Sequence, residues 1–502
     1  MSDLTGGARA VRSVAVAPSP LERPLADLLP GLTTQIRGDS TLAVRELCYR
    51  SEEATPGCLF FCVPGSRLDG HDFAAQAAER GAVALVVDRW LPVEVAQILV
   101  PSVREAMGPI SATFFGRPAD LMTMVGVTGT NGKTTTTYLL EAVFRAAGKA
   151  PGVLGTTGVR IDGRSLPFPR TTPEAPDLQR LLRQMAEEGV EAVAMEVSSH
   201  GLHQHRVGGL RFGCAVFTNL TQDHLDYHAS MQEYFEAKAR LFTPAMTDRA
   251  VVNYDSAEGR RLIRGDLATV TYGLSESADV RATEIATTSE GISFRVGGAE
   301  VRSSLRGLFN VENCLAAFAT AGVLGIGPEV AAGAISEVEQ IPGRVEAVDA
   351  GQDFLVMVDY AHTPDSLANV LRTARPLATG RLIVVFGCGG DRDRAKRPLM
   401  GRVATAAADL TVITSDNPRS EDPVAIIEEI ERGAKEGVGA YVVEPDRRAA
   451  IRLALSEART GDVVVIAGKG HERYQELADR TIEFDDREVA LAELRALGKG
   501  AP

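Results

Sequence analysis

The chain has little that would tie it to a membrane, a nucleic acid or an oxidising compartment. Its 502 residues contain no run of about 18 apolar residues, so no membrane span is expected. Residues 1–20 are rich in Gly, Ala, Ser and Pro and lack a continuous apolar segment. They read as a disordered tail, and no signal peptide is expected. Basic residues are outnumbered, 53 Lys and Arg against 66 Asp and Glu, for a net charge of −13. That balance argues against non-specific binding to nucleic acid or anionic lipid. The six cysteines (Cys48, Cys58, Cys62, Cys214, Cys314 and Cys388) form no C-x-x-C pair. Buried free thiols in a reducing compartment, and hence a cytoplasmic protein, are the expectation. Aromatic residues make up only 5%, but 45% hydrophobic and 24% charged residues still describe a globular chain. Its length suits about three domains.

What is present begins with Gly126-Val-Thr-Gly-Thr-Asn-Gly-Lys-Thr-Thr-Thr136. An apolar run, Leu121–Val127, predicts a buried strand before it. After it, Leu139, Leu140, Val143, Phe144 and Ala147 recur at helical spacing. A strand, a glycine-rich turn and a lysine at a helix start make a phosphate cradle. Backbone N–H groups of Gly129, Thr130, Asn131 and Gly132 can approach the phosphates. Lys133 can neutralise them, and Thr134, followed by Thr135, offers a hydroxyl to Mg²⁺. The usual P-loop places its first glycine where this chain has Val127.

The organisation is α/β throughout. Residues 21–118 read as a small N-terminal α/β domain, 119–341 as a central P-loop domain, and 342–502 as a C-terminal doubly wound, Rossmann-like domain. Within 265–306, Thr, Ser and Gly punctuate short alternating segments, which predicts a β-rich insert. Ile341-Pro-Gly-Arg344 is a linker candidate. Beyond it, strands are predicted at Phe354–Val358, Leu382–Phe386, Leu410–Thr414 and Val463–Ala467, separated by helices.

Polar loops follow the predicted strands. Glu196 ends Ala192–Val197, a position suited to a Mg²⁺ ligand or to a solvated glutamate. Asp223, His224 and Asp226 crowd another strand end. Lys238 lies four residues after Tyr234 and four before Phe242, on the apolar face of its helix. Such a lysine either snorkels to water or is buried with a lowered pKa, and a neutral amine can take up CO₂ as a carbamate. In the last segment, Asp359-Tyr-Ala-His-Thr-Pro364, Gly387-Cys-Gly-Gly-Asp-Arg-Asp393, Asp416-Asn-Pro-Arg419 and Gly468-Lys-Gly-His-Glu472 follow four strands. Four such loops at four strand ends predict one binding rim.

Together, Gly129-Thr-Asn-Gly-Lys-Thr-Thr135, Glu196-Val-Ser-Ser-His-Gly-Leu202, Thr218-Asn-Leu with Asp223-His-Leu-Asp-Tyr-His228, Asp359-Tyr-Ala-His362 and Asp416-Asn-Pro-Arg419 resemble the Mur ligases of peptidoglycan synthesis. The resemblance runs from about residue 45 to 490. It implies three domains, for a uridine nucleotide substrate, ATP and an incoming amino acid. It also implies an acyl-phosphate route from carboxylate to amide, in a monomer. Carried over by position, Thr134 and Glu196 resemble ligands of the nucleotide Mg²⁺, and His224 and a carbamylated Lys238 resemble supports of a second. Asn310 and Asn313 resemble adenine-side contacts, Arg344 a γ-phosphate contact, and Asp359 and His362 ribose and nucleotide contacts. Thr171, Thr172, Ser198, Gln204 and Arg206 resemble contacts to a UDP-N-acetylmuramoyl-dipeptide. Where the family often has Asp-Ser-Arg, this chain has Arg50-Ser51-Glu52, which leaves Ser51 as the expected uridine contact.

Asp416, Asn417, Pro418 and Arg419 resemble the signature of members that add meso-diaminopimelate, with Arg392, Gly468 and Glu472 completing the pocket. The charge argument agrees. Arg419 can grip the distal carboxylate of diaminopimelate, whereas lysine would present an ammonium to it. Like charges ~4 Å apart at an effective dielectric near 20 cost about 4 kcal/mol, roughly thousandfold. The alternatives are a lysine-adding relative, a folylpolyglutamate-type ligase, a nucleotide-dependent switch, or a scaffold that retains a dead ligase fold.

Overall fold

The computed structural model describes residues 21–65, 68–288 and 290–499; the tail expected over 1–20 lies outside the described residues. The chain divides into two compact units. Among the described residues, one holds 21–124 and 150–211, the other 125–149 and 212–499.

The first unit contains a five-stranded sheet in the order Gln35–Arg37, Ala96–Leu99, Ala84–Val87, Cys58–Phe61, Glu46–Cys48. All neighbours are parallel except the Gln35–Arg37 edge. Residues alternate to two buried faces, as a sheet covered on both sides requires. Leu59, Phe61, Val86 and Ile98 pack with Ile110 and Phe114 of the helix Val103–Phe114, and Phe60, Leu85 and Val87 with Ala74 and Ala77. A second group of strands pairs Pro151–Gly155 with Ala192–Glu196 in parallel and with Gly158–Ile161 antiparallel. The helix Ala175–Glu187 buries Leu178, Leu181, Leu182 and Met185.

In the second unit, residues 125–128 pair in parallel with Cys214–Phe217, and the series continues through Arg249–Asn253, Ala268–Gly273 and Val280–Arg281. The helices Lys133–Ala146 and Leu308–Val323 pack on each other. The expected β-rich insert is the antiparallel sheet Thr283–Thr287, Ile292–Val296, Ala299–Ser303, in which Ile292, Phe294 and Val296 are buried and Arg295 is exposed. A six-stranded sheet follows, ordered Glu346–Val348, Leu355–Asp359, Val463–Ala467, Leu382–Phe386, Leu410–Ile413, Ala440–Val443. Five of its strands are parallel and Glu346–Val348 is an antiparallel edge. The mixed α/β class with multi-strand parallel sheets is the one expected. The strand expected at Phe354–Val358 is Leu355–Asp359, one residue later. All six cysteines are free and buried. No helix among the described residues is long and apolar enough to cross a membrane.

Candidate active site

The glycine-rich loop sits between the strand Thr123–Thr128 and the helix Lys133–Ala146. Its irregular spacing has a steric reason. Gly129 (φ +147°) lies against the Thr218 hydroxyl and Gly132 (φ +86°) against the Asn313 amide oxygen; a Cβ at either would overlap that atom. Val127 is buried in the strand and meets no such approach. The loop is held by its neighbouring strand end. Thr218 Oγ1 donates to the Asn131 carbonyl (2.6 Å), Thr130 N–H to the Asn219 carbonyl (2.9 Å), and Asn131 N–H to Asn219 Oδ1 (2.9 Å). Sequence reading noted Thr218-Asn219 only as part of a motif; their task of shaping the loop follows from the pairing of Cys214–Phe217 with residues 125–128.

Two lysines converge on the loop. Lys133 Nζ donates to the carbonyls of Gly129 (3.0 Å) and Thr130 (2.7 Å), and Lys238 Nζ donates to the same Gly129 carbonyl (2.8 Å). Lys238 is 1% exposed, so it does not snorkel. Its ammonium lies 4.5 Å from the centroid of the Tyr234 ring. Burial, and then the charge of Lys133, hold its pKa well below the ordinary lysine value. Thr134, 2% exposed, accepts from Arg344 Nη2 at 2.9 Å, and the Arg344 guanidinium stacks 4.7 Å from the Tyr360 ring. Asn313 Nδ2 donates to Asn310 Oδ1 (2.9 Å), so the two asparagines act as one element beside Gly132.

Asp223 is the charge centre of the next loop. Its Oδ1 accepts the His224 backbone N–H (2.9 Å), and its Oδ2 lies 3.3 Å from His224 Nε2 and 3.8 Å from His362 Nε2. Lys396 Nζ is 3.9 Å from Oδ1. Burial pushes the Asp223 carboxyl up, but His224, His362 and Lys396 together hold it well below the usual range. His224 has φ +55°, costly for a non-glycine residue. Asp359, expected at a nucleotide, accepts the backbone N–H of Val345 (2.8 Å) and of Ala361 (2.7 Å). It therefore fastens the linker segment to the strand end. Val345 also has positive φ, +48°, rare for a β-branched residue.

The four predicted loops do form one rim on the six-stranded sheet. Gly390 N–H donates to the Asn417 carbonyl (2.9 Å) and Gly468 N–H to the Asp359 carbonyl (3.0 Å). Arg419 Nε pairs with Glu476 (2.7 Å) and its Nη1 donates to the Gly390 carbonyl (2.8 Å). Gly389 leaves room for that guanidinium. Glu472 Oε2 accepts from Asn417 Nδ2 (2.9 Å) and from the fully buried Lys469 (3.0 Å). Asp416 is buried, yet Lys469 and Arg447 hold its carboxyl below the usual value against that burial. Gly468 (φ +115°) faces the Asp416 carboxylate closely. Pro418 keeps its carbonyl against Gly390. Arg392 stands apart: it is exposed and donates to the Asp391 carbonyl (2.9 Å). Arg447 and Glu476 were missed in the sequence, where nothing local marks their partners; Lys469 lies in the predicted loop 468–472 beside its partner Glu472.

The first unit assembles its own cluster. Glu196 is 1% exposed and accepts from the Thr156 N–H and hydroxyl, both at 2.9 Å. Thr156 Oγ1 meets Thr171 Oγ1 (3.0 Å). Thr172 Oγ1 donates to the Glu196 carbonyl (3.0 Å) and accepts the Ser198 N–H (3.0 Å). Arg206 donates to the Thr172 carbonyl (3.0 Å) and to Gln204 Oε1 (2.6 Å), and it pairs with Glu174 (3.0 Å). Thr171, Thr172, Glu196, Ser198, Gln204 and Arg206 are thus brought together. Ser51 is not part of that network; it donates to Gln76 Oε1 at 2.6 Å.

Comparisons with known proteins cover nearly the whole chain. Family models match residues 44–115 (Mur ligase family, catalytic domain), 127–321 (Mur ligase middle domain) and 343–470 (Mur ligase, glutamate ligase domain). The chain is 50% identical over 479 residues to the UDP-N-acetylmuramoyl-L-alanyl-D-glutamate--2,6-diaminopimelate ligase of Geobacillus thermodenitrificans, covering 93% of this chain and 98% of that one. It is 46% identical over 496 residues to the protein of the same name from Geobacter metallireducens, covering 92% and 97%. A solved structure of a ligase so named is 32% identical, with TM-score 0.67, covering 95% of this chain and 100% of that one. A folylpolyglutamate synthase from Mycobacterium tuberculosis, complexed with ADP and AMPPCP, shares the fold at 17% identity and TM-score 0.62, covering 80% and 96%.

Proposed function

The chain belongs to the Mur ligase family, and from that membership we propose that it joins meso-2,6-diaminopimelate to UDP-N-acetylmuramoyl-L-alanyl-D-glutamate at the expense of ATP. The observation that carries the reading is 50% identity over 479 residues to a ligase of that name, with the phosphate loop and the Arg419 rim both intact. The reaction runs in two displacements. A glutamate carboxylate oxygen attacks the γ-phosphorus, forming an O–P bond while the bond to the β–γ bridging oxygen breaks and ADP leaves with its electron pair. The amine nitrogen of diaminopimelate then attacks the acyl carbon. A C–N bond forms, the C–O bond to phosphate breaks, and the nitrogen gives up a proton.

Each cluster has a task in that scheme. Gly129–Thr135 cradles the phosphates, and Lys133 neutralises the charge that spreads over them during transfer. Arg344, already bonded to Thr134, reaches the γ-phosphate. Asn310 and Asn313 lie on the adenine side. His362 contacts the nucleotide, while Asp359 holds the linker that carries Arg344. The Thr171–Arg206 cluster holds the UDP-sugar peptide and Ser51 the uridine. Arg419, held at its Nε by Glu476 and at its Nη1 by the Gly390 carbonyl, offers its Nη2 to the distal carboxylate. Glu472, whose Oε1 makes no hydrogen bond among the described residues, takes the distal ammonium.

The donors suit Mg²⁺: Thr134 offers a hydroxyl and Glu196 carboxylate oxygens, both hard ligands, and Mg²⁺ keeps most of its shell as water and phosphate. It would supply charge neutralisation at the phosphates. Lys238 suits a carbamate. Two ammonium groups on the Gly129 carbonyl repel each other. A carbamate formed from CO₂ and the neutral Lys238 nitrogen, with loss of one proton, would turn that repulsion into attraction for Lys133. The division 21–118, 119–341 and 342–502 assigns the uridine, ATP and the amino acid to one segment each, with the Thr171–Arg206 contacts to the sugar peptide falling in the middle segment, which also holds the phosphate loop.

Phosphate release tests the proposal, with ATP, Mg²⁺ and UDP-N-acetylmuramoyl-dipeptide and with diaminopimelate or lysine as the amine. Release that depends on diaminopimelate is expected. Release that ignores the amine would favour a nucleotide-driven switch, and dependence on lysine would overturn the amino-acid assignment.

A further inference from the structure

The helix Lys396–Ala407 begins with two cations, Lys396 and Arg397, and has no acidic residue in its first turn. That is the wrong sign of charge for the positive end of a helix dipole. Arg397 is accounted for. Fully buried, it donates to both oxygens of Glu421 (2.8 and 3.0 Å), to Glu429 (2.8 Å) and to the Gly389 carbonyl (3.2 Å), which fastens the loops of the rim. Lys396 is not. It is 5% exposed, and its ammonium makes no hydrogen bond among the described residues. Its nearest acid, Asp223, lies at 3.9 Å and is already approached by His224 and His362. An ammonium at the tip of a nearly buried side chain, with no acceptor among the described residues in hydrogen-bond range, is placed to donate to an anion that arrives there.

Its neighbours say where that anion would be. Asp223 sits on the loop that joins Thr221 to the phosphate loop, where Thr221 N–H donates to Thr130 Oγ1 (3.0 Å). Thr130 Oγ1 also meets the Tyr234 hydroxyl (3.1 Å), on the helix that carries Lys238. On its own side, Lys396 follows the glycine-rich loop 387–393 of the rim. It therefore stands where the phosphate loop and the amino-acid rim meet.

We propose that Lys396 is a further catalytic residue of this ligase, whose ammonium receives an oxyanion of the reacting substrates. The inference rests on the ligase reading above. Two groups have the required chemistry: the phosphoryl group passing from ATP to the glutamate carboxylate, and a carboxylate of the incoming amino acid. A positioned cation at such a group contributes on the order of a hundredfold to the rate.

The test uses the full-length protein with Lys396→Met, and Lys396→Gln should the first not fold. An overall kcat/KM at least fiftyfold lower, with Tm within a few degrees of wild type and partial recovery on adding ethylamine, is expected. Isotope exchange between ADP and ATP, dependent on the UDP-dipeptide but run without amine, separates the two sources. Exchange that falls with the overall rate identifies the phosphoryl group. Preserved exchange with a raised KM for diaminopimelate identifies the amino-acid carboxylate. Activity within threefold of wild type would overturn the inference. So would recovery in the Asp223→Asn, Lys396→Met double variant, because Lys396 would then be only the counter-charge of Asp223. A wild-type protein that releases no phosphate with all substrates present would instead sink the ligase reading itself.

Discussion

The phosphate loop and the amino-acid rim handle charge in opposite ways. Around the loop, like charges are crowded: Lys133 and Lys238 share the Gly129 carbonyl, and Arg344 lies on Thr134. Around the rim, buried charges are paired. Arg447 and Asp486, both fully buried, bond through two nitrogens at 2.7 and 2.8 Å; Arg397 is bound by two glutamates; Lys469 holds Glu472 and Asn417. The crowded cations await phosphates, so their electrostatics is completed only in the reacting complex. The paired ions of the rim are complete beforehand, and their effect is to fix the loops proposed to recognise an amino acid. Chemistry and recognition thus call for opposite electrostatic states of the empty protein.

Two substitutions strike at the two halves of this contrast. Lys238→Ala acts on the crowded side and removes a buried amine whose charged form burial and Lys133 disfavour, so the loss of stability should be modest. Activity is nonetheless expected to fall more than about a thousandfold, a scale set by losing a group that acts on transition-state charge. Short carboxylic acids should restore part of it if, as proposed above, Lys238 carries a carbamate. Full activity without any additive would remove the carbamate from the mechanism. On the paired side, Arg447→Met leaves Asp486 buried and unpaired. It also frees the carbonyls of Ser415 and Ala467 that Arg447 now holds at 3.2 and 3.0 Å. A loss of about 3–5 kcal/mol of stability is expected in denaturant titration. If Arg447→Met proved as stable as wild type, the rim would not be held by its paired ions.

The two sides also differed in how far the sequence revealed them. The phosphate loop was legible because its signal is local: a buried strand, glycines and a lysine within a dozen residues. Lys238 was legible through its spacing from Tyr234 and Phe242, although only the structure decides between snorkelling and burial. The strands of the six-stranded sheet were legible as Val- and Ile-rich runs, since a parallel sheet buries both faces. The supports of the rim were not. Arg447 meets Asp486 across 39 residues and Arg397 meets Glu421 across 24, and a charged residue in a helix reads as solvent-facing until its partner is known. Asp359 was legible as a strand-end carboxylate, but its bond to the Val345 N–H depends on the backbone of a linker at φ +48°, which no residue pattern announces.

Arg419 tests whether recognition can be separated from chemistry. Arg419→Ala is expected to raise KM for diaminopimelate roughly a hundredfold, the size of one lost charge-assisted pair. The amine-free ADP–ATP exchange should stay within about threefold, because the hydrogen bonds of the Arg419 side chain among the described residues go to Glu476 and Gly390, both on the rim. Equal losses in both measurements would mean that rim and phosphate loop act as one site.

The smallest expected effect lies behind the phosphate loop, on the helix that carries Asn310 and Asn313. Glu312 accepts from Asn253 Nδ2 at 3.2 Å. Burial, reinforced by Asp255 and Asp365, pushes its carboxyl up to about 7 against the opposing Asn253 bond. A carboxyl raised in the folded state is favoured while protonated. Its contribution is therefore intact at low pH and is lost as pH rises from the unfolded value near 4.5 toward 7. Above that window the charged form costs about 2–3 kcal/mol. Glu312→Gln keeps the size and the neutral hydrogen-bonding character of the group. It should raise stability by that amount at pH 8 and by little at pH 4.5, flattening the pH profile of unfolding between. A Gln variant whose profile parallels wild type across this window would show that Glu312 is relieved by its surroundings. Unpaired charge would then be confined to the cations that face the phosphates.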